Sequence, residues 1–244
     1  MFRKLKEMIQ SYASNKEDSS SQVPTYASYP YDGRILEYYQ ESFEAVYILL
    51  HPFYKAATLD LGHYNSETWL NKHDFINCCD SITWHEILSL TGLDSISQID
   101  VALRTMIGGI NTRFQNKYWE QEILKLYEEQ NIINPCDDGY VSPFLENQLL
   151  GSLQEIGYEF LLTVDEHGVN EPKKMKIDYL IENDRLDSCN YTEDQQLLFA
   201  THWDSHCTFL SSSKKIMDQI LEIHSFEGFF CTPKTEVYWG LHDI

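Results

Sequence analysis

The hydrophobic period of this chain changes near residue 157, and that change is the strongest constraint on its fold. Before it, apolar residues recur every three or four positions, as in amphipathic helices. After it, aromatic and β-branched residues alternate with polar ones in short runs, as in half-buried strands. Helical segments followed by strand segments, rather than the two in alternation, indicate an α+β protein. We therefore predict a helical part at 34–156, packed on one face of a mostly antiparallel sheet at 157–244, as a single domain.

Six helices are predicted in the first part, and several carry recognisable start signals. Thr83 and Glu86 match a capping box, in which each side chain bonds the backbone N–H of the other residue. Ser142 followed by Pro143 is typical of a helix start, because proline suits the first helical position. The predicted helices span about 34–50, 66–76, 83–92, 97–107, 114–134 and 142–156.

The second part is predicted to contain strands, one helix and a tight turn. Residues 158–164 and 175–181 have strand patterns, and 197–211 is either one bent strand or a hairpin broken near Asp204. Ser212 or Ser213 then caps a short amphipathic helix. The last two predicted strands, 226–232 and 235–241, flank a turn at Pro233 and Lys234.

The first 33 residues are predicted to lie outside this domain. Residues 1–12 have the apolar spacing of a short amphipathic helix, and the stretch that follows is rich in serine, proline and charged residues. Such a composition is typical of a linker. We therefore divide the chain into a tail and linker at 1–33 and a single α+β domain at 34–244.

The charge balance restricts the partners that this protein can have. Eighteen lysines and arginines stand against 38 aspartates and glutamates, a formal net charge of -20. Nucleic acid is not an expected partner, since phosphate neutralisation requires clustered basic residues, and anionic membranes are disfavoured for the same reason. An acidic protein suits a basic protein partner, as in bacterial immunity proteins that neutralise cationic toxins. The alternative is that the charge only keeps the protein soluble.

Residues 83–107 have a helix-turn-helix pattern, but their side chains do not favour DNA binding. The second helix would present Gln98 and Asp100 to the duplex, with Arg104 as the only base. A recognition helix must face an anionic groove, so this set of side chains is unfavourable. An ordinary antiparallel helix pair is the prediction.

No complete catalytic motif is present in the sequence. His85 and Glu86 begin a metalloprotease pattern, but Ser89 stands where the second histidine is required. Cys79 and His85 could form a nucleophile and base, although a buried cysteine more often acts as a small apolar residue. Six cysteines without a Cys-x-x-Cys pair, and no leader or membrane span, favour a cytoplasmic protein with reduced thiols. The leading functional hypothesis is therefore a non-enzymatic binding protein without a cofactor.

The alternative hypothesis is a metal-dependent hydrolase, based on His202, Asp204 and His206. On one strand, residues two apart share a face, so these three side chains would point together. Imidazole and carboxylate groups are suitable ligands for a divalent metal such as zinc. A turn at Asp204 and Ser205 would instead separate them.

Two runs near the C-terminus resemble a known family. HWDSHCTFLSS at 202–212 and EGFFCTPKTEVYW at 227–239 are similar to the C-terminal signature of DUF2711, a family of bacterial proteins of unknown function. The resemblance implies a bacterial, cytoplasmic protein. It assigns no catalytic or binding residue, because the shared positions are mainly aromatic.

Overall fold

A seven-stranded antiparallel sheet forms the centre of the fold, and a second sheet has three strands. The computed structural model describes residues 24–57, 72–135, 139–164, 171–183, 186–202 and 205–242. The large sheet contains β1 (Ala45–Leu50), β5 (Phe160–Val164), β6 (Lys173–Lys176), β7 (Cys189–Tyr191), β8 (Leu197–Thr201), β9 (Cys207–Ser212) and β10 (Gly228–Phe230). The small sheet contains β2 (Phe53–Ala56), β3 (Cys79–Ile82) and β4 (Ile132–Ile133). Strand orders are β10-β1-β9-β8-β7-β5-β6 and β3-β2-β4.

Helices from both parts of the chain pack against the two sheets. They are α1 (Ile35–Tyr39), α2 (Lys72–Cys78), α3 (Trp84–Leu90), α4 (Ile96–Ile107), α5 (Lys117–Gln130), α6 (Pro143–Glu155), α7 (Ile177–Asn183) and α8 (Lys214–Ile223). The predicted α+β class with a mostly antiparallel sheet is confirmed.

Both faces of the large sheet are buried, which corrects the prediction that helices cover one face only. Alternation along a strand sends successive side chains to opposite faces. On one side, Ile48 belongs to a core that includes Trp84 of α3 and Ile99 of α4. On the other side, Leu49 belongs to a core with residues of α6 and α8, such as Leu149 and Met217. The helices therefore form layers on both sides of the sheet.

The predicted helix at 34–50 is wrong for its second half. In the structure, the helix α1 ends at Tyr39. Residues Ala45–Leu50 form β1, which lies in the interior of the large sheet between β9 and β10. Because both faces of β1 are covered, nearly every residue in it is apolar, and such a run matches a helical period by chance. The sheet therefore takes one strand from the part predicted to be helical.

The predicted strand at 175–181 is also wrong in part. Strand β6 stops at Lys176, and α7 begins at Ile177. Ile177 and Leu180 are both buried, which is helical spacing, while Tyr179 between them is 49% exposed. Likewise, the predicted last strand is reduced to an isolated bridge between Arg34 and Glu236, followed by a 3-10 turn at Trp239–Leu241.

Several local signals are confirmed. Thr83 and Glu86 form the capping box at the start of α3, and Ser213 caps α8 through the N–H of Ile216. The stretch 197–211 is a hairpin rather than one bent strand, because β8 and β9 pair with each other. The Thr235 N–H donates to the carbonyl of Thr232 at 3.0 Å, which closes the predicted turn. Residues 66–71, the start of the predicted helix at 66–76, and the predicted helix at 1–12 lie outside the described residues.

The end of the predicted linker packs on the domain. Residues Thr25–Ala27 form a 3-10 turn, and the side chains of Ala27 and Tyr29 are buried. The ring of Tyr26 meets that of Tyr191 on β7 edge to face, with centroids 5.5 Å apart. Aromatic residues thus extend the core to Tyr26, where composition alone indicated a linker.

Two glycines allow the packing of the sheet to be tested in opposite directions. A Cβ at Gly228 on β10 would collide with the carbonyl oxygen of Ile48 and would lie 2.5 Å from Cε1 of Tyr47. We expect Gly228→Ala to lower the free energy of unfolding by about 1–3 kcal/mol through this overlap. Gly151 in α6 has open space around its Cβ position, so Gly151→Ala should raise stability by about 0.5–1 kcal/mol through helix propensity.

Urea denaturation of the two variants and the wild type measures both effects. Equal destabilisation by both substitutions would contradict the close approach of β10 to β1, since only Gly228 has no room for a methyl group.

Candidate functional site

A cluster of buried polar side chains lies where the end of β1, helix α4 and the start of β9 meet. We call it the polar cluster, and its members are His51, Asp100, Arg104, His206 and Cys207, each at most 2% exposed. Buried polar groups are costly unless they are hydrogen-bonded or paired. The cluster is therefore the first place to look for function.

His51 is held on three sides at the end of β1. Its backbone N–H donates to the carbonyl of His206 at 3.0 Å, and its own carbonyl accepts from the indole Nε1 of Trp84 at 2.7 Å. Its ring Nε2 lies 2.7 Å from Oγ1 of Thr208, which in turn is 2.7 Å from Oγ1 of Thr201. The strand end and the hairpin are therefore joined by a chain of hydrogen bonds.

Asp100 and Arg104 form an ion pair inside the protein. They are one helical turn apart on α4, and Nε of Arg104 lies 3.0 and 2.9 Å from the two carboxylate oxygens of Asp100. Arg104 Nη2 donates to the carbonyl of Val237 at 3.3 Å, and the guanidinium lies 5.1 Å from the ring centroid of Tyr238. A Cβ at Gly240 would collide with the Asp100 carboxylate, so the C-terminal segment packs directly on the pair.

His206 is the unusual member of the polar cluster. Its side chain is buried, and neither ring nitrogen has a hydrogen-bond partner among the described residues. Burial, followed by the positive charge of Arg104 and then by His51, holds the pKa of His206 well below its usual range. The imidazole is therefore neutral at neutral pH.

Two buried cysteines, Cys207 of the polar cluster and Cys79 outside it, are unsuited to nucleophilic attack. Burial raises the pKa of Cys207 to about 11, so its thiol stays protonated at neutral pH. Burial also raises the pKa of Cys79, while Nδ1 of His85 lies 2.5 Å from a carboxylate oxygen of Glu227. The partner of His85 is therefore a carboxylate rather than the thiol of Cys79. Cys79 has the character of a small buried residue.

The three residues of the metal hypothesis do not share one strand. His202 directly follows β8 and His206 directly precedes β9, so the two histidines lie at the ends of two paired antiparallel strands rather than on one strand. His202 packs against the rings of Tyr29 and Tyr31, with centroids 5.1 and 5.3 Å away. Asp204 lies outside the described residues, and within them no group of three metal-binding side chains comes together. The assumption of a shared strand face is wrong, and the metal site itself stays a prediction.

Sequence reasoning missed Asp100, Arg104 and His51 as members of one site. The sequence did contain a signal for the first two, since an acid and a base four residues apart on a helix form a pair. Residues 101–103 between them are all apolar, which leaves no polar face for the pair to occupy. His51 carried no such signal, because Thr208, the partner of its ring, lies 157 positions away.

The state of His206 predicts how stability depends on pH. In the unfolded chain its pKa is about 6.5, whereas in the folded protein it is well below that value. As the pH falls below the unfolded value, the unfolded state binds a proton that the folded state does not. The free energy of unfolding should then fall by up to about 1.4 kcal/mol per pH unit for this group.

Urea denaturation between neutral and mildly acidic pH measures this effect as a difference between variants. His206→Gln should reduce the decline of the free energy of unfolding with falling pH. Ser152→Ala removes a buried hydroxyl that is bonded to Gln148. It should lower the free energy of unfolding equally at every pH and leave its dependence on pH unchanged. A wild-type curve parallel to that of His206→Gln would contradict a neutral, buried imidazole.

Comparison with known protein families gives a match over most of the chain. The family model described as Protein of unknown function (DUF2711) matches residues 31–241. No curated protein and no solved structure matches the chain. Among the described residues, no helix has both the length and the apolar composition needed to cross a bilayer. The matched region runs from Tyr31, beside His202, to the turn that packs on Asp100, and so contains the whole polar cluster. Because the match covers most of its length, the chain belongs to the DUF2711 family.

Proposed function

We propose that this protein is a non-enzymatic binding protein that recognises a basic protein partner in the bacterial cytoplasm. The observation that carries the proposal is the formal net charge of -20, with 38 acidic against 18 basic residues. A field of this sign attracts cationic partners and accelerates their association. A cationic toxin that the protein neutralises is one partner of this kind.

The distribution of acidic residues supports the proposal. Residues 73–103 contain no lysine or arginine. Within that stretch, Asp80, Glu86 and Asp94 are exposed. Glu86 is engaged in the capping box of α3, but Asp80 and Asp94 make no ion pair with a described residue. These carboxylates are available to a basic surface.

The side chains of the polar cluster are poorly suited to catalysis, which favours a non-enzymatic function. A general base works best with a pKa near the operating pH, whereas the pKa of His206 is displaced well below its usual range. The Cys207 thiol is protonated at neutral pH, and the carboxylate of Asp100 is committed to Arg104. The cluster therefore suits a structural role that holds the C-terminal segment against α4.

The proposal predicts a salt-sensitive complex with a basic protein. Purified full-length protein, immobilised, should retain a basic partner from a bacterial lysate at about 0.1 M salt and release it at about 1 M, where the screening length falls from about 10 Å to about 3 Å. The partner, identified by mass spectrometry and purified, should bind in a defined stoichiometry by calorimetry.

Two charge-reversed variants distinguish a specific acidic surface from total charge. Asp80→Lys with Asp94→Lys changes the net charge by the same amount as Glu155→Lys with Glu159→Lys, a pair of exposed residues elsewhere in the chain. The first double variant should bind the partner about tenfold more weakly than the second. Equal affinities, or a complex indifferent to salt, would contradict the proposed recognition.

The metal-dependent hydrolase remains the alternative, with His202, Asp204 and His206 as ligands. Such an ion would supply hydroxide by lowering the pKa of bound water to about 7. The positive charge of Arg104, which acts on His206, opposes a divalent cation at that imidazole. We therefore expect zinc, iron and manganese to be substoichiometric in protein purified without chelators, as measured by elemental analysis. Stoichiometric metal that is lost in both His202→Ala and His206→Ala would favour the hydrolase instead.

A further inference from the structure

A surface cleft separates the segment before α1 from the loop that follows α4. We call it the Tyr238 cleft, after the side chain that joins it to the polar cluster. Its volume is about 430 Å³, within the range of small-molecule sites in proteins. It includes Asp32 from the first segment, Arg113 and Phe114 from the loop, and Tyr238 near the C-terminus.

Two opposite charges in the cleft lack counter-ions. Asp32 and Arg113 are both exposed, and neither forms an ion pair with a described residue, including with each other. The carboxylate of Asp32 accepts one hydrogen bond, from the N–H of Gly33 at 2.7 Å. The guanidinium of Arg113 lies over the ring of Phe114, with its carbon 4.4 Å from the centroid. Besides Glu236, which is paired with His242, the cleft therefore presents one carboxylate and one guanidinium that do not pair with each other.

The two charged sides are fixed by backbone contacts. On one side, the carbonyl of Gly33 accepts from the N–H of Val237 at 3.0 Å, which ties the Asp32 segment to the C-terminal segment. On the other side, the side chain of Asn111 accepts from the N–H of Arg113 at 3.1 Å. A site formed before the ligand arrives loses less entropy on binding.

The remaining walls combine apolar residues with one further charged pair. Glu236 and His242 also line the cleft, and Nε2 of His242 lies 3.1 Å from a carboxylate oxygen of Glu236. Ile110, Phe114, Tyr238 and Leu241 all line the cleft, and 43% of the Phe114 side chain is exposed. Tyr238 is supported from within, because the buried guanidinium of Arg104 lies 5.1 Å from its ring centroid. Apolar walls with a few placed charges are typical of sites that bind an organic ligand.

We propose that the Tyr238 cleft binds a small zwitterion, an amino acid with an apolar side chain. Its ammonium group pairs with Asp32, its carboxylate with Arg113, and its side chain packs on Phe114 and Tyr238. A guanidinium suits a carboxylate, since it can donate two parallel hydrogen bonds. A ligand with only one charge leaves the other cleft residue without a counter-ion. The proposal concerns a different surface from the acidic stretch at 73–103, so each can fail without the other.

The test compares a zwitterion with analogues that lack one charge. Full-length protein is titrated by calorimetry and ligand-observed NMR with L-phenylalanine, with 3-phenylpropionate, which lacks the ammonium group, and with phenethylamine, which lacks the carboxylate. L-leucine and L-methionine extend the series to other apolar side chains. Wild-type protein should bind phenylalanine about tenfold more tightly than either analogue.

Two substitutions assign the charges, and two matched substitutions control for them. Asp32→Asn should remove the preference for phenylalanine over 3-phenylpropionate, and Arg113→Gln should remove the preference over phenethylamine. Asp218→Asn and Lys215→Gln, at exposed positions of α8, should leave both preferences unchanged. All four positions are exposed, so urea denaturation should give unfolding midpoints close to that of the wild type.

The opposite results overturn the proposal. It is wrong if none of the three amino acids binds at concentrations up to about 10 mM, well above the Kd that such a site should have. It is also wrong if phenylalanine binds and both preferences survive in Asp32→Asn and Arg113→Gln, since the ligand then lies elsewhere.

Discussion

The ion pair of Asp100 and Arg104 connects helix α4 directly to the C-terminal segment. It lies on α4, where it holds the carbonyl of Val237, supports the ring of Tyr238 and packs against Gly240. Burying two charges is expensive, and removing one partner of such a pair costs about 3–5 kcal/mol because the other is left uncompensated. The C-terminal segment is thus fixed to a helix far from it in sequence by an interaction that tolerates little change.

The consequences of that pair extend in two directions. In the core, burial and the positive charge of Arg104 together keep the imidazole of His206 neutral. The same positive charge is unfavourable for a metal cation or a proton at this histidine. Outward, the same guanidinium supports Tyr238, which lines the surface cleft between Asp32 and Arg113. A single buried cation therefore influences both the chemistry of the core and the shape of a surface site.

The large sheet explains why these contacts form at all. Strand β1 lies between β9 and β10, so its end places His51 beside the hairpin that carries His206. Helix α4 packs on the same face of the sheet, with Ile99 in the core that also contains Ile48. With both faces covered, the polar side chains of the polar cluster are buried, and such groups are costly unless they pair. His51, Asp100 and Arg104 have hydrogen-bond partners, whereas the ring of His206 has none among the described residues.

The sequence by itself determined the local caps and turns and the overall class of the fold. The capping box at Thr83 and the caps and turns near the C-terminus depend on neighbouring residues alone, and the change of period near residue 157 was enough to indicate the α+β class. What only the tertiary structure decided was which residues meet over long separations. An apolar run such as β1 fits a helix or a covered strand equally well until its neighbours are known, and His51 reaches Thr208 across 157 positions. Pairing, burial and the field around His206 arise from such contacts, because side-chain environments depend on packing rather than on sequence neighbours.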